Sequence, residues 1–291
     1  MKAFFLKYYK TIAIGALMLA GLSLLLYPLI ANTWNNHVQA TLVNNYEETV
    51  TAAIEDGTLN VQEELDRATV YNEELLPSIL PDSFAEAEAN GTDDNYMSIL
   101  NANGDGIMGY IQIPSINVKL PIFHTTDEDV LQTGVGHLEG SSLPIGGPDT
   151  HSVLSAHRGL PSATLFTDLD KVEIGQNFFI IIMDEYYAYE IDDIEVVEPD
   201  DTSLLAVRPG EDLCTLITCT PYGVNTQRLM VTGHRVEYTP TLLEDAETPA
   251  FGAVSLHTNY LLWVIVGLAI VGAFILILFI YDRKHTQKEK A

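Results

Sequence analysis

The chain has 291 residues, of which 47% are hydrophobic, and it carries a formal net charge of −26. This hydrophobic content is enough to build a core, which excludes a disordered or collagen-like chain. Two cysteines are too few for a disulfide-dense secreted scaffold. The acidic balance excludes nucleic acid as the main partner, because phosphate binding needs a basic face.

Two long uncharged runs lie near the ends of the chain. Thr11–Ile30 has 20 residues and Asn259–Tyr281 has 23, and about 20 apolar residues span a bilayer. Basic residues flank the outer end of each run, so the positive-inside rule places both termini in the cytoplasm and residues 31–258 outside. The alternative for the first run is a cleaved signal peptide, with Val38–Ala40 as a small-residue cleavage site.

The segment after the first run has helical spacing. Over residues 41–76, apolar residues recur every three or four positions and form one stripe of a helix, which Pro77 and Pro81 end. The members of this stripe are Val61, Leu65, Ala68, Tyr71 and Leu75. Residues 77–106 are rich in Pro, Gly, Asn, Asp and Ala, a composition that predicts an ordered loop or a flexible cover.

From Ile107 onward, short β-rich runs are separated by Pro and Gly, which predicts an all-β barrel or sandwich. The predicted strands are Met108–Ile113, Val118–Ile122, Ser152–Ala156, Asn177–Met183, Tyr186–Val197, Leu213–Cys219 and Arg228–Glu237. Ala163–Leu169 is predicted as a short helix between strands. Residues 238–258, with two prolines and three acidic residues, are predicted to tether the barrel to the second apolar run.

The two cysteines are predicted to be free thiols. Cys214 and Cys219 are five residues apart in one strand, so their Cα atoms would lie about 16 Å apart, whereas a disulfide needs about 4.4–6.8 Å. Cys214 is expected to be a buried apolar residue. Cys219 ends its strand and meets the turn Pro221–Gly223, so it is the thiol that a substrate can reach.

Two further side chains could assist this thiol. If the strands around residues 221–226 form a hairpin centred between Gly223 and Val224, Arg228 lies directly opposite Cys219. A guanidinium there could stabilise a thiolate or an oxyanion. His157 follows the apolar run Ser152–Ala156 and could act as general acid and base. Its sequence position alone does not place it beside Cys219, and a structural role stays open for both residues.

These motifs resemble the sortases, a family of cysteine transpeptidases. Thr215–Cys219 matches the T-L-x-T-C signature of that family, and His157 and Arg228 fill its other two catalytic positions. Further stretches resemble class C, the pilin-polymerising sortases, over about residues 60–240. These stretches are Asn103–Pro114, Gly136–Pro144, Arg158–Ser162 and Thr218–Asn225.

The resemblance implies a mechanism. Cys219 would attack the Thr–Gly carbonyl of an LPxTG-like sorting signal and form a thioacyl enzyme. His157 would protonate the leaving amine and then help to deprotonate the incoming one. Arg228 would stabilise the oxyanion or the substrate backbone. The partners would be pilin subunits that carry the sorting signal and an acceptor lysine, and neither a cofactor nor a metal is expected.

Class C sortases also carry a lid with an Asp-Pro-aromatic motif. The matching stretch here is Asp82–Phe84, in which serine replaces the proline and removes a fixed φ. By this resemblance Phe84 would cover Cys219, and Asp82 would reach the region of Arg228. The alternative is a plain linker.

The sequence therefore predicts a mainly β fold: a sortase-like closed barrel with short helices, an N-terminal helical region and a transmembrane helix at each end. The expected layout is a cytoplasmic tail (1–10), an anchor or signal peptide (11–30), a helical region with the lid (31–106), the catalytic barrel (107–237), an acidic tether (238–258), a second transmembrane helix (259–281) and a basic cytoplasmic tail (282–291). The alternatives are a sortase that attaches proteins to the cell wall, a cysteine peptidase, and a non-catalytic membrane-anchored surface protein.

Overall fold

The computed structural model describes residues 2–75, 82, 84, 93–247, 265–269, 271–273 and 277. The chain divides into two compact units, one spanning Asn32–Pro249 and the other comprising Met1–Ala31 and Ala250–Ala291.

In the unit made by the two ends, the described residues are helical. Within the described part of the chain, one helical stretch, Ala13–Glu55, has the length and hydropathy to cross a membrane, with a mean hydropathy of 2.1 in its most apolar window. A signal sequence near the N-terminus would have the same properties. Most of the second predicted span, 259–281, lies outside the described residues, and its described positions are helical.

Two helices occupy the segment that the sequence predicts as one helical region. Helix α1 is Lys2–Glu55 and helix α2 is Val61–Glu74. The predicted helix over 41–76 is therefore interrupted, because Gly57 adopts a φ of +75° that a helix cannot accommodate. Asn60 restarts the helix by accepting a hydrogen bond from the N–H of Glu63.

Helix α1 is fastened to the strands by Tyr46, which is 1% exposed. Its hydroxyl donates to the carbonyl of Met108 at 2.7 Å and accepts from the N–H of Met183 at 3.0 Å. A short helix α3, Asp94–Ser98, lies within the predicted loop 77–106, and its Tyr96 is fully buried. This part of the predicted loop is therefore core structure.

The prediction of a mainly β, closed barrel is confirmed. Among the described residues, eight strands close in the order β1-β2-β3-β4-β7-β8-β6-β5. Their bounds are Ile107–Ile113 (β1), Val118–His124 (β2), Val135–His137 (β3), Thr150–Ser155 (β4), Asn177–Ile182 (β5), Glu185–Val197 (β6), Asp212–Thr220 (β7) and Gln227–Val236 (β8). The pairs β2–β3 and β4–β7 are parallel, and the other neighbours are antiparallel.

The strands enclose one main core of aliphatic and aromatic side chains. A smaller apolar cluster lies apart from it and is formed by residues of β4, β7, β8 and two connecting segments. The buried members of this second cluster are Leu138, Val153, Leu205, Ile217 and Met230.

One expectation about the connections is wrong. Ala163–Leu169 forms turns rather than a helix, and a 3₁₀ turn, Leu169–Lys171, begins only at its last residue. Leu165 has a φ of +44°, which breaks helical geometry there. The predicted tether 238–258 begins with helix α5, Pro240–Glu247, whose apolar residues pack against the main core. Helix α4, Glu128–Thr133, follows β2 and was not predicted.

Candidate active site

The hairpin of β7 and β8 places Cys219 opposite Arg228. The two residues are register partners, and Thr220 pairs with Gln227 at the end of the ladder. The predicted hairpin register is thus confirmed. Within the turn, the N–H of Asn225 donates to the carbonyl of Pro221 at 2.9 Å, which closes the loop tightly. Both side chains therefore stand at the same end of the barrel wall.

Strand β4 brings His157 to the same end. β4 runs parallel to β7, with Ser155 paired to Ile217. Beyond that pair, the N–H of Ala156 donates to the carbonyl of Ile217 at 3.1 Å, and the hydroxyl of Thr218 donates to the carbonyl of Ala156 at 2.8 Å. His157 is the next residue, so it leaves β4 where β7 reaches Cys219.

The loop after His157 is fixed to the β7–β8 turn. The N–H of Phe166 donates to the carbonyl of His157 at 3.1 Å. Arg158 donates to the hydroxyl of Thr220 at 3.0 Å and forms an ion pair with Asp170. These contacts hold the backbone around the imidazole against the strand that carries the thiol.

Arg228 forms a bidentate ion pair with Asp82. Its Nε lies 2.8 Å from Oδ1 and its Nη2 lies 2.5 Å from Oδ2. The side chains are only 9% and 16% exposed. Nη1 donates to the backbone carbonyls of Gln227 at 3.2 Å and Asn225 at 3.5 Å. The fork geometry is the one in which arginine binds carboxylates most strongly.

The ring of Phe84 lies close to both Arg228 and His157. Its ring centroid is 5.0 Å from Cζ of Arg228 and 5.6 Å from the imidazole centroid of His157. The ring is partly buried against the second apolar cluster defined above. The middle residue of the predicted motif, Ser83, lies outside the described residues.

Opposing influences act on the thiol of Cys219, which is 8% exposed. Burial raises its pKa above the ordinary value, Arg228 lowers it, and Asp82 raises it again. The net direction is upward, so the thiol form is favoured in this arrangement. Removal of burial or of Asp82 would shift the balance toward the thiolate.

The other cysteine behaves differently. Cys214 is completely buried, and both cysteines are free thiols. Burial raises the pKa of Cys214 well above its ordinary value. Its predicted character as an inert apolar residue agrees with this environment.

One residue near His157 was not anticipated. Oε2 of Glu128, at the start of α4, lies 3.5 Å from Nε2 of His157. No spacing in the sequence indicated this contact, because α4 reaches His157 only through the closure of the barrel. Within the described part of the chain, no group of His, Cys, Asp and Glu side chains is arranged to hold a metal ion.

The described strands form a closed eight-stranded barrel in which a cysteine at the rim faces an arginine. A histidine lies at the end of the adjacent parallel strand. This arrangement defines the class of sortase-like cysteine transpeptidases. The sequence comparison agrees with this class: residues 111–236 match the family model described as "Sortase domain".

Relatives and solved structures agree with this match. Sortase D of Bacillus subtilis is 34% identical over 131 residues, which cover 44% of this chain and 63% of that protein, less than two thirds of its length. The crystal structure of sortase C-1 from Actinomyces oris is 45% identical with a TM-score of 0.59, and the match covers 61% of this chain and 98% of that one. A crystal structure of Streptococcus pneumoniae sortase C, described as giving insights into pilin substrate specificity, is 39% identical with a TM-score of 0.60, covering 69% and 98%. The chain belongs to the sortase family, and these structural neighbours are class C sortases.

Proposed function

We propose that the chain is a class C sortase that joins pilin subunits through a thioacyl intermediate on Cys219. The observation that carries the proposal is the direct pairing of Cys219 with Arg228 at the barrel rim. The class C neighbours at 39–45% identity support the choice of class. The pilin substrate specificity ascribed to the Streptococcus pneumoniae neighbour supports a pilin as the substrate.

In the first half-reaction, the sulfur of Cys219 attacks the carbonyl carbon between Thr and Gly of an LPxTG-like signal. The thiol proton of Cys219 passes to His157, a C–S bond forms, the C–N bond breaks, and His157 gives that proton to the departing glycine amine. Arg228 donates hydrogen bonds to the developing oxyanion or to the adjacent peptide carbonyl. The second apolar cluster lies beside these residues and offers a surface for the Leu and Pro side chains of the signal.

In the second half-reaction, the amine of a pilin lysine attacks the thioester. A C–N bond forms, the C–S bond breaks, and the amine proton passes to His157. The product is an isopeptide bond, and return of that proton from His157 to the sulfur of Cys219 restores the starting thiol. A cysteine peptidase would release an acid instead, and this difference separates the two functions in an assay.

Asp82 and Phe84 act as a lid in this proposal. Asp82 occupies both arms of the Arg228 fork, and Phe84 rests on the apolar cluster that would receive the signal. The described arrangement is therefore the closed, resting state. Substrate entry requires these two side chains to leave.

The proposed setting is a cell membrane with the barrel outside and both termini in the cytoplasm. The apolar stretch within Ala13–Glu55 supports the N-terminal anchor. The second anchor, 259–281, rests on its uncharged sequence and on the basic residues that follow it.

The test uses the full chain in detergent with a labelled LPxTG peptide and a lysine-bearing pilin. We expect mass spectrometry to find a thioacyl adduct on Cys219 and an isopeptide-linked product. The variant Cys219→Ala should give neither. Release of free acid as the sole product, with pilin present, would contradict the proposal.

A further inference from the structure

The imidazole of His157 has an acidic neighbour that is not part of the proposed lid. Nε2 of His157 is buried and makes no hydrogen bond within the described residues. The charged atom that faces it is Oε2 of Glu128, at 3.5 Å. This distance is an ion-pair contact rather than a hydrogen bond. The ring is thus bracketed by Phe84 on one side and by Glu128 on another.

The carboxylate of Glu128 is itself held in place. Its other oxygen, Oε1, accepts a hydrogen bond from Nε2 of Gln132 at 2.7 Å, one helical turn along α4. At the far end of α4, the amide of Gln39 in α1 donates to the carbonyl of Thr133 at 3.0 Å, and Leu131 is buried beneath the helix. The helix is therefore anchored from both α1 and the core, with its first residue directed at His157.

The electrostatics of Glu128 are consistent with a carboxylate that stays ionised. The hydrogen bond from Gln132 and the adjacent His157 hold the pKa of Glu128 below its ordinary value. The side chain is 67% exposed, so water screens the contact and its effect is modest. A modest, directed field suits a residue that orients the imidazole ring.

We propose that Glu128 is a positioning residue for His157: it orients the imidazole and holds the proton of the neutral ring on Nε2. Nδ1 is then the nitrogen that exchanges protons with the thiol of Cys219 and with the substrate amines. When the acceptor amine attacks the thioester, the C–N bond forms, the sulfur of Cys219 leaves, and the amine proton moves to Nδ1. Glu128 stabilises the imidazolium that results. The role in catalysis rests on the proposed function, whereas the orientation of the ring does not.

The first test measures the tautomer of His157 and needs no substrate. ¹⁵N-histidine labelling of the full chain in detergent, with the signal of His157 assigned by its loss in His157→Gln, reports which ring nitrogen carries the proton. We expect the Nε2–H form to dominate at alkaline pH. Glu128→Ala should lower the ratio of the Nε2–H to the Nδ1–H form about two- to fivefold, as expected for a screened ion contact.

The matched control is Asp129→Asn. Asp129 lies on the same exposed turn of α4 and its replacement removes the same charge from the helix N-terminus. We expect the tautomer ratio of His157 to stay unchanged in this variant. An equal shift in both variants would overturn the proposal, because it would indicate a general charge or helix effect. An unchanged ratio in Glu128→Ala would overturn it as well.

The second test is kinetic. Because Glu128 acts through His157 rather than on the peptide, Glu128→Gln and Glu128→Ala should lower kcat for acyl transfer about three- to tenfold and leave KM for the LPxTG peptide unchanged. A change confined to KM would overturn the proposal. If the wild-type chain fails to process the peptide, the proposed function falls, while the tautomer measurement still decides the role of Glu128.

Discussion

Replacement of Phe84 by alanine should open the active site to reagents. In the closed arrangement the ring packs on the second apolar cluster and lies 5.0 Å from the guanidinium of Arg228. Truncation of a fully buried Phe costs about 3–5 kcal/mol, and a cation–π contact contributes about 0.5–2 kcal/mol. For a partly buried ring we expect the closed state to lose about 2 kcal/mol of stability relative to the open state. This loss raises the ratio of the open to the closed population about 30-fold.

The assay is the rate at which a maleimide reagent labels Cys219 in the full chain at fixed pH. Mass mapping separates this label from any on Cys214, which is completely buried. As long as the closed state predominates, Phe84→Ala should speed the labelling of Cys219 about 30-fold. Asp82→Asn should also speed it, because it breaks the bidentate ion pair with Arg228.

The two substitutions should not be independent. Both side chains contact Arg228, so the double variant should gain less than the product of the two single effects. Asp94→Asn is the control, since Asp94 is an exposed acid on α3, and its labelling rate should match that of the wild type. Labelling of Cys219 that is equally fast in the wild type, Phe84→Ala and Asp82→Asn would refute the lid.

Three further outcomes are expected. Since Asp82 raises the pKa of Cys219, Asp82→Asn should move the pH-dependent rise in labelling toward lower pH, and a shift toward higher pH would contradict the assigned sign. Arg228→Lys keeps the positive charge but loses the bidentate guanidinium fork. Processing of an LPxTG peptide should therefore fall about 100-fold, and labelling of Cys219 should become faster. Tyr46→Phe should lower the free energy of unfolding by about 1–2 kcal/mol, measured by denaturant titration, because two buried backbone groups lose their partner.

Much of the barrel could be predicted because its strands are short β-rich runs bounded by Pro and Gly. All seven predicted runs are strands, with ends that differ by one or two residues. β3 was missed because Val135–His137 has only three residues and shows no alternation. The predicted helix at Ala163–Leu169 failed because Leu165 adopts a φ of +44°, and the apolar residues of this segment are buried within turns instead.

The site was predictable to different degrees. The pairing of Cys219 with Arg228 follows from local hairpin symmetry, which a sequence displays directly. The placement of His157 depends on the parallel pairing of β4 with β7, a contact between segments about 60 residues apart that spacing does not reveal. The approach of Glu128 depends on the position of α4, which was not predicted. Contacts between distant segments of the chain, which local sequence patterns do not reveal, therefore position His157 and Glu128.

The closed arrangement links access to reactivity at Cys219. Arg228 lowers the pKa of the thiol, but while it is bound to Asp82 that effect is opposed by the carboxylate and outweighed by burial. Departure of Asp82 and Phe84 would remove the carboxylate and part of the burial together, and it would leave the guanidinium fork open. In the proposed mechanism, the same movement that would admit a peptide carbonyl to Arg228 would thus favour the thiolate that attacks it. In the proposed lid, the ion pair between Asp82 and Arg228 would couple access of the substrate to the pKa of Cys219, which a purely steric lid would not do.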